Sequence, residues 1–415
     1  MAPNPERIFC SMKRWIVMLF SLSALMLVLA SCGGKPYITL EYIADDEVFK
    51  SVSFDRNGAL ERLSEVPEKE GYFFGGWYYD YGTWEIPLDV GDFNNKWKDG
   101  EYRVYAKWEV VKLTLAEDSR SYIVTELLAG AGENVVIPSH HENLPVATIG
   151  ANVFRGKTNL LSVTIPDTVK YIEDYAFAGC TALTSVTMPH SVLSTGTGAF
   201  EGCTSLTTIR FSERLETLGA RTFSGCTALT QVTLPQSLRT IGGSAFYGCT
   251  GFTSFTIPKY VTKIGPRAFA RCIGLTAITI PDHVVEIEEY AFEDCARLAT
   301  VTFSEKTSLM NLCKGAFSGT AIEMLTIPCK LAVVRDGAFA GMRELKKLTF
   351  AGADFIGGRI LEGTPLTVIH FFGTVEEFGA ETMRKNANWY RNSDPVGNVR
   401  TVVCSNGTVT VADME

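Results

Sequence analysis

Ala176-Phe177-Ala178-Gly179-Cys180-Thr181-Ala182-Leu183-Thr184-Ser185-Val186-Thr187-Met188-Pro189 returns, nearly unchanged, as Ala245-Phe246-Tyr247-Gly248-Cys249-Thr250-Gly251-Phe252-Thr253-Ser254-Phe255-Thr256-Ile257-Pro258. The phenylalanine of this stretch sets a period. It recurs at Phe154, Phe177, Phe200, Phe223, Phe246, Phe269 and Phe292 in steps of 23 residues. Phe317 and Phe339 follow at 25 and 22, and Leu361 takes the slot after a further 22. A fixed period of this length marks stacked supersecondary units, so it governs every helix or strand assignment.

Within a unit, residues such as Ser162-Val163-Thr164-Ile165 alternate polar and apolar, the period of a strand with one buried face. Val163 and Ile165 are therefore expected to point inward, and Ser162 and Thr164 outward. Pro166, Pro189, Pro235, Pro258, Pro281 and Pro328 end the strands, because proline cannot donate to a ladder. A second apolar group, such as Val169, Ile172 and Phe177, is expected to bring the chain back to the core. One such coil cannot bury its apolar edges alone, so the coils must stack into a solenoid. At about 4.8 Å per stacked strand, ten coils span on the order of 50 Å.

These Ala-Phe-x-Gly-Cys and Val-Thr-Ile-Pro signatures resemble the BspA-type leucine-rich repeats of bacterial surface proteins, from about Val135 to Phe372. The resemblance implies a solenoid of short parallel β-strands and coil, used for binding. Leu361 in place of the phenylalanine and Arg210 in place of the central threonine depart from the pattern, and the longer step around Glu305 to Cys313 predicts a bulge or inserted loop. Residues 151–372 are read as the repeats. Residues 111–150 are the expected N-terminal cap, with His140-His141-Glu142-Asn143 as a polar loop, and residues 373–415 the C-terminal cap.

Residues 36–110 differ in kind. They hold Trp77, Trp84, Trp97 and Trp108, and their 16 acidic against 8 basic side chains give a net of −8, equal to the formal charge of the whole chain. The solenoid is thus nearly neutral, and no basic stripe suits a phosphate backbone, which excludes nucleic acid as a partner. The segments Val52–Gly58, Gly71–Tyr78 and Tyr105–Trp108 resemble the Listeria-Bacteroides repeat, the internalin B-type module, which implies a small β-rich, β-grasp-like domain. Asn57-Gly58 is a strong hairpin signal.

Ahead of this domain, Lys13 and Arg14 precede an apolar run from Trp15 to Ala30, with the length of a secretory leader rather than a membrane span. Met12 offers a more typical start to such a leader than Met1. The run ends in Leu29-Ala30-Ser31-Cys32, which resembles the bacterial lipobox. That implies a signal peptide over residues 1–31, diacylglycerol on Cys32, a tether over 32–35 and attachment to a membrane outside the cytoplasm, at the cell surface. An ordinary signal peptide with a chance cysteine is the other reading.

Cys180, Cys203, Cys226, Cys249, Cys272 and Cys295 each stand three residues after a repeat phenylalanine. Their spacing favours buried small side chains over zinc ligands, which come in close pairs; oxidised pairs and a metal remain the alternatives. The five histidines fall in separate units apart from His140-His141, and Asp45-Asp46-Glu47 reads as solvated surface. No phosphate loop, dinucleotide fingerprint, nucleophile elbow or H-E-x-x-H motif is present, so no enzyme, cofactor or metal is expected.

The outward strand positions are the candidate binding face: Thr233, Thr256, Thr279, Thr302 and Thr326, passing to Lys347 and His370 near the C-terminal end. Threonine also suits any solvated strand. The functional expectation is an adhesin-like platform for an extracellular protein, host or bacterial. The alternative is a glycan held by exposed aromatics of the first domain.

Overall fold

The structure is a computed structural model, and it describes residues 37–55, 67–69, 72–79, 88, 100–128, 131–351, 353–376 and 401–410. The leader with Cys32, the Asn57-Gly58 turn, Trp84, Trp97 and Trp389 lie outside the described residues. The chain separates into two compact units, Met1–Pro67 with Gly76–Lys107, and Glu68–Gly75 with Trp108–Glu415.

Four strands, β1 (Tyr37–Ala44), β2 (Glu47–Asp55), β3 (Phe73–Tyr78) and β4 (Gly100–Glu109), form a mixed sheet in the order β2-β1-β4-β3. Strand β1 runs antiparallel to β2 and parallel to β4. Asp45 and Asp46, both left-handed at φ 51° and 64°, make the two-residue turn between β1 and β2. Short acidic side chains tolerate that conformation, so the acidic triplet serves a hairpin. Leu40, Tyr42 and Val104 are buried together, and Trp77 meets Tyr42 edge-on at 4.9 Å. Burial pushes the Tyr42 hydroxyl up to about 12.

The larger unit is the expected solenoid. Strands β5 (Val111–Leu115) and β6 (Tyr122–Leu127) form an antiparallel hairpin, β7 (Asn134–Val136) starts the first coil, and β9 (Leu144–Ile149) lies parallel to β6. Between β7 and β9, His140–His141 forms β8, antiparallel to β9, where the sequence suggested a polar loop. The turn Glu142-Asn143 is left-handed at both residues, at φ 46° and 64°, which twists the chain back on itself as a tight hairpin requires. The Tyr122 hydroxyl donates to Glu142 at 2.9 Å, and its ring meets His141 edge-on.

The continuous ladder of the solenoid is not the one that the alternating segments suggested. It is built from the second apolar group: Tyr171–Ile172, Ser194–Thr195, Thr217–Leu218, Thr240–Ile241, Lys263–Ile264, Glu286–Ile287, Asn311–Leu312, Leu331–Val334 and Ala353–Ile356 extend β9 and β6 as one parallel path in a 13-stranded sheet. The alternating segments form shorter sheets instead. Ser162–Thr164 pairs with Asn134–Val136, and Ser185–Thr187 with Thr208–Arg210; Ser254–Thr256, Ala277–Ile280 and Thr300–Phe303 form a third group. Met324–Ile327, Lys347–Phe350, Val368–Phe371 and Thr401–Cys404 form a fourth, which an antiparallel strand, Gly407–Thr410, closes. Gln231–Leu234 is not a strand at all. A three-residue ladder rests on so few hydrogen bonds that a small separation of coils abolishes it. The two residues added in the long step lie in the connection Thr307–Met310, as an inserted loop should.

The sides on which the residues fall follow from the alternation. Val163 and Ile165 are buried and Thr164 is exposed. The carbonyls of Pro166, Pro189, Pro235, Pro258 and Pro281 each accept a turn-closing hydrogen bond from three residues on, as from Val169 to Pro166 and Val192 to Pro189, and Ser212 and Ser304 accept the same bond in two coils that lack the proline. Eight repeat rings, Phe154 to Phe317, are fully buried and stacked at centroid spacings between 4.7 and 5.7 Å, with planes within 15°. Each inner ring, from Phe177 to Phe292, therefore packs on the ring of the coil before and on that of the coil after.

Two left-handed residues frame every ring, one two positions before it and one two after. The second is the glycine of the signature in eight coils and Arg271 or Asp294 in the other two. At this corner the backbone N–H reaches into the next coil, as from Gly179 to Glu201 at 2.6 Å, while Phe177 donates to Ala199 at 2.7 Å. The turns are thereby hydrogen-bonded from coil to coil as a ladder would be.

Candidate functional site

The candidate face consists of the outward residues of the alternating segments. Ser254, Ala277 and Thr300 stand in register, and beside them Thr256, Thr279 and Thr302, all exposed. In the next sheet Met324 aligns with Lys347, and Thr326 with Thr349 and His370. Thr233 is exposed too, but it belongs to the segment without a ladder. The structure thus joins Thr256, Thr279 and Thr302 in one row and Thr326, Thr349 and His370 in a second.

From Ser254 to His370, Lys347 is the only formal charge among these outward positions. The His370 imidazole is held below its ordinary value by partial burial and by the nearby Lys347 ammonium. The neighbouring Lys346 ammonium and Glu323 carboxylate lie 2.7 Å apart with both side chains largely exposed, a pair worth little to stability. Met324, which the sequence places on this face beside Lys347, is 69% exposed, and one apolar side chain there was missed by the sequence argument: Val136, 67% exposed at the first coil. Its signal is an apolar residue in a column that otherwise carries serine or threonine.

The six ladder cysteines are buried thiols. Each Sγ–H donates to the carbonyl of the phenylalanine one coil back: Cys180 to Phe154 at 3.1 Å, Cys203 to Phe177 and Cys226 to Phe200 at 3.2 Å, Cys249 to Phe223, Cys272 to Phe246 and Cys295 to Phe269 at 3.1 Å. Burial pushes the thiols of Cys180, Cys226 and Cys295 up to about 12, which keeps them protonated and unreactive near neutral pH. Among the described residues no three His, Cys, Asp or Glu side chains gather as a metal site.

A corner of the solenoid also escaped the sequence argument. Arg271-Cys272-Ile273 and Asp294-Cys295-Ala296 occupy successive coils directly after four that carry Gly-Cys-Thr, and the broken signature is visible in the residues themselves.

The model of the BspA type leucine rich repeat region matches residues 147–276 and 262–389 in six copies. Among solved structures, a leucine-rich-repeat protein of T. pallidum is 29% identical, with 51% of this chain and 86% of that one covered and a TM-score of 0.42. A leucine-rich cell surface protein of Faecalibacterium prausnitzii is 26% identical, with 66% and 96% covered and a TM-score of 0.35. The pneumococcal vaccine antigen PcpA is 16% identical, with 72% and 100% covered and a TM-score of 0.40. Two membrane proteins of Evansella cellulosilytica, one of them Gly-rich, are 33% and 32% identical over 102 and 106 residues, 21% and 22% of this chain. The matches cover 11% and 15% of the length of those two relatives. With its 23-residue coils, stacked phenylalanines and matching family model, the chain belongs to the BspA-type leucine-rich-repeat family.

Proposed function

We propose that the chain is a surface-displayed binding protein that offers the outward rows of its solenoid to an extracellular protein, and that Cys32 carries the lipid that holds it to the membrane. The observation that carries the reading is the registered row Thr256, Thr279 and Thr302, continued by Thr326, Thr349 and His370. A rigid array of hydroxyls with almost no charge meets a partner through many weak contacts at little ordering cost. Leucine-rich-repeat folds typically serve as non-enzymatic binding scaffolds, which agrees with the lack of catalytic motifs. A surface location fits the family and the relatives described as cell surface or membrane proteins. Burial of Tyr42 against Trp77 draws aromatic surface into the core of the first domain and weighs against glycan capture there.

The full chain should bind a member of a panel of immobilised matrix proteins, and Thr256→Glu with Thr279→Glu should abolish that binding while the fold persists. Binding to a glycan array alone, or equal protein binding by the variant, overturns the reading. For the anchor, Cys32→Ala should abolish incorporation of an alkyne fatty acid and release the protein from the membrane fraction. Equal labelling of both proteins refutes it.

A further inference from the structure

The corner at Arg271 and Asp294 sits at the turns that precede the strands, apart from the threonine rows. There Tyr247, Thr250, Arg271, Ile273, Asp294 and Ala296 line an open concavity of about 540 Å³. Both Arg271 and Asp294 adopt left-handed backbone, at φ 59° and 56°, where the other eight coils use glycine. Their backbones do the same structural work as those glycines. Arg271 N–H donates to Glu293 at 2.7 Å and Asp294 N–H to Ser318 at 2.8 Å, matching Gly225 to Tyr247 at 2.7 Å and Gly248 to Ala270 at 2.8 Å. The coil therefore does not need these side chains. A left-handed arginine or aspartate is disfavoured relative to glycine, and at this corner the other eight coils avoid that cost with glycine.

Two positions on, the column Thr181, Thr204, Thr227 and Thr250 gives way to Ile273 and Ala296 in the same two coils, and to Ala321, Arg343 and Pro365 in the coils that follow. Ile273 is 48% exposed. Four departures from the repeat thus converge on one cavity.

The chemistry of its walls selects the occupant. Tyr247, Ile273 and Ala296 make the wall largely apolar, which suits an aliphatic or aromatic side chain and gives sugar hydroxyls few partners. The Arg271 guanidinium lies 6.0 Å from the Tyr247 ring centroid, over one face of that ring. Arg271 Nε and Asp294 Oδ2 stand 3.9 Å apart, with both side chains mostly exposed. This pair repels neither a cation nor an anion cleanly, but it sets a donor beside an acceptor. A peptide amide, with its C=O and N–H, complements that pair.

We infer that this corner is a second binding site, for an extended, uncharged peptide segment of a protein partner, which seats one bulky apolar side chain against Ile273 and Tyr247 while its backbone amide meets Arg271 and Asp294. The site does not depend on the threonine rows. The test is selection of a random dodecapeptide phage library on the full chain, followed by fluorescence polarisation with the enriched peptides made synthetically. The comparison protein carries Arg271→Gly, Ile273→Thr, Asp294→Gly and Ala296→Thr, which restores the residues of the preceding coils. Enriched peptides should share an aliphatic or aromatic residue, bind the restored variant at least tenfold more weakly, and bind Thr256→Glu as they bind the unaltered chain. Thermal unfolding establishes that the restored variant is folded; should it not be, Ile273→Thr alone carries the same comparison. Recovery of no peptide, recovery of peptides without an apolar residue, or equal binding to the restored protein overturns the inference.

Discussion

Phe246→Ala removes one ring from the middle of the stack. Phe246 is fully buried, stacked on Phe223 at 5.7 Å and on Phe269 at 5.5 Å, and met edge-on by Phe252 at 5.7 Å and Phe255 at 5.1 Å. Truncating a buried phenylalanine costs about 3–5 kcal/mol, because the lost transfer energy adds to the cost of the cavity. At about 1.4 kcal/mol per factor of ten, local opening becomes roughly a hundredfold to a few thousandfold more frequent. In a stack where each coil touches only its neighbours, that loss stays local. Hydrogen exchange read by mass spectrometry should show faster exchange at the amides of Phe223, Phe246 and Phe269, whose acceptors are Ala245, Ala268 and Ala291. The amides of Phe177 and Phe339 should keep their protection. Phe154→Ala, whose ring is stacked on Phe177 at 4.7 Å at the start of the column, should instead loosen the first coils. If both variants accelerate exchange in the same coils, the stacked-coil account of stability is wrong.

The six ladder thiols should resist maleimide in the native protein at pH 8 and react after denaturation, as counted by intact mass; rapid native labelling of Cys226 or Cys249 contradicts their burial. Gly225→Ala puts a side chain at φ 75° and should lower stability by about 1–2 kcal/mol, seen as a lower midpoint in urea; an unchanged midpoint argues against the left-handed corner. The His370 value lies below that of an unfolded histidine, so its contribution to stability is present above the unfolded pKa and falls away as the pH drops below it. Lys347→Gln should bring the His370 titration, followed by NMR, partway back toward its ordinary value. Partial burial, the larger cause, remains, so full recovery or no movement refutes the assignment.

The residues alone determine that the chain is a solenoid, because in a repeat protein the unit of sequence is also the unit of packing. A phenylalanine every 23 residues, a glycine two positions later and a thiol after that are local facts, and they place Phe154 to Phe317 in one stack before any coordinate is known. The outward threonines are equally legible, since alternation assigns the buried face of a strand. Tertiary structure decides the rest, where the cause lies in the next coil. Thr217-Leu218 is too short to be recognised as a strand, and it becomes one because Thr240-Ile241 lies alongside to pair with it. Tyr175, Arg221, Ser244 and Arg267 share no chemistry that announces a left-handed backbone, yet the return of the chain beneath the stacked rings demands it at each of them. Arg271, Ile273, Asp294 and Ala296 are likewise four scattered departures in the chain. They become one site only when two coils 23 residues apart in sequence are laid against each other, because stacking turns equal positions in successive repeats into neighbours.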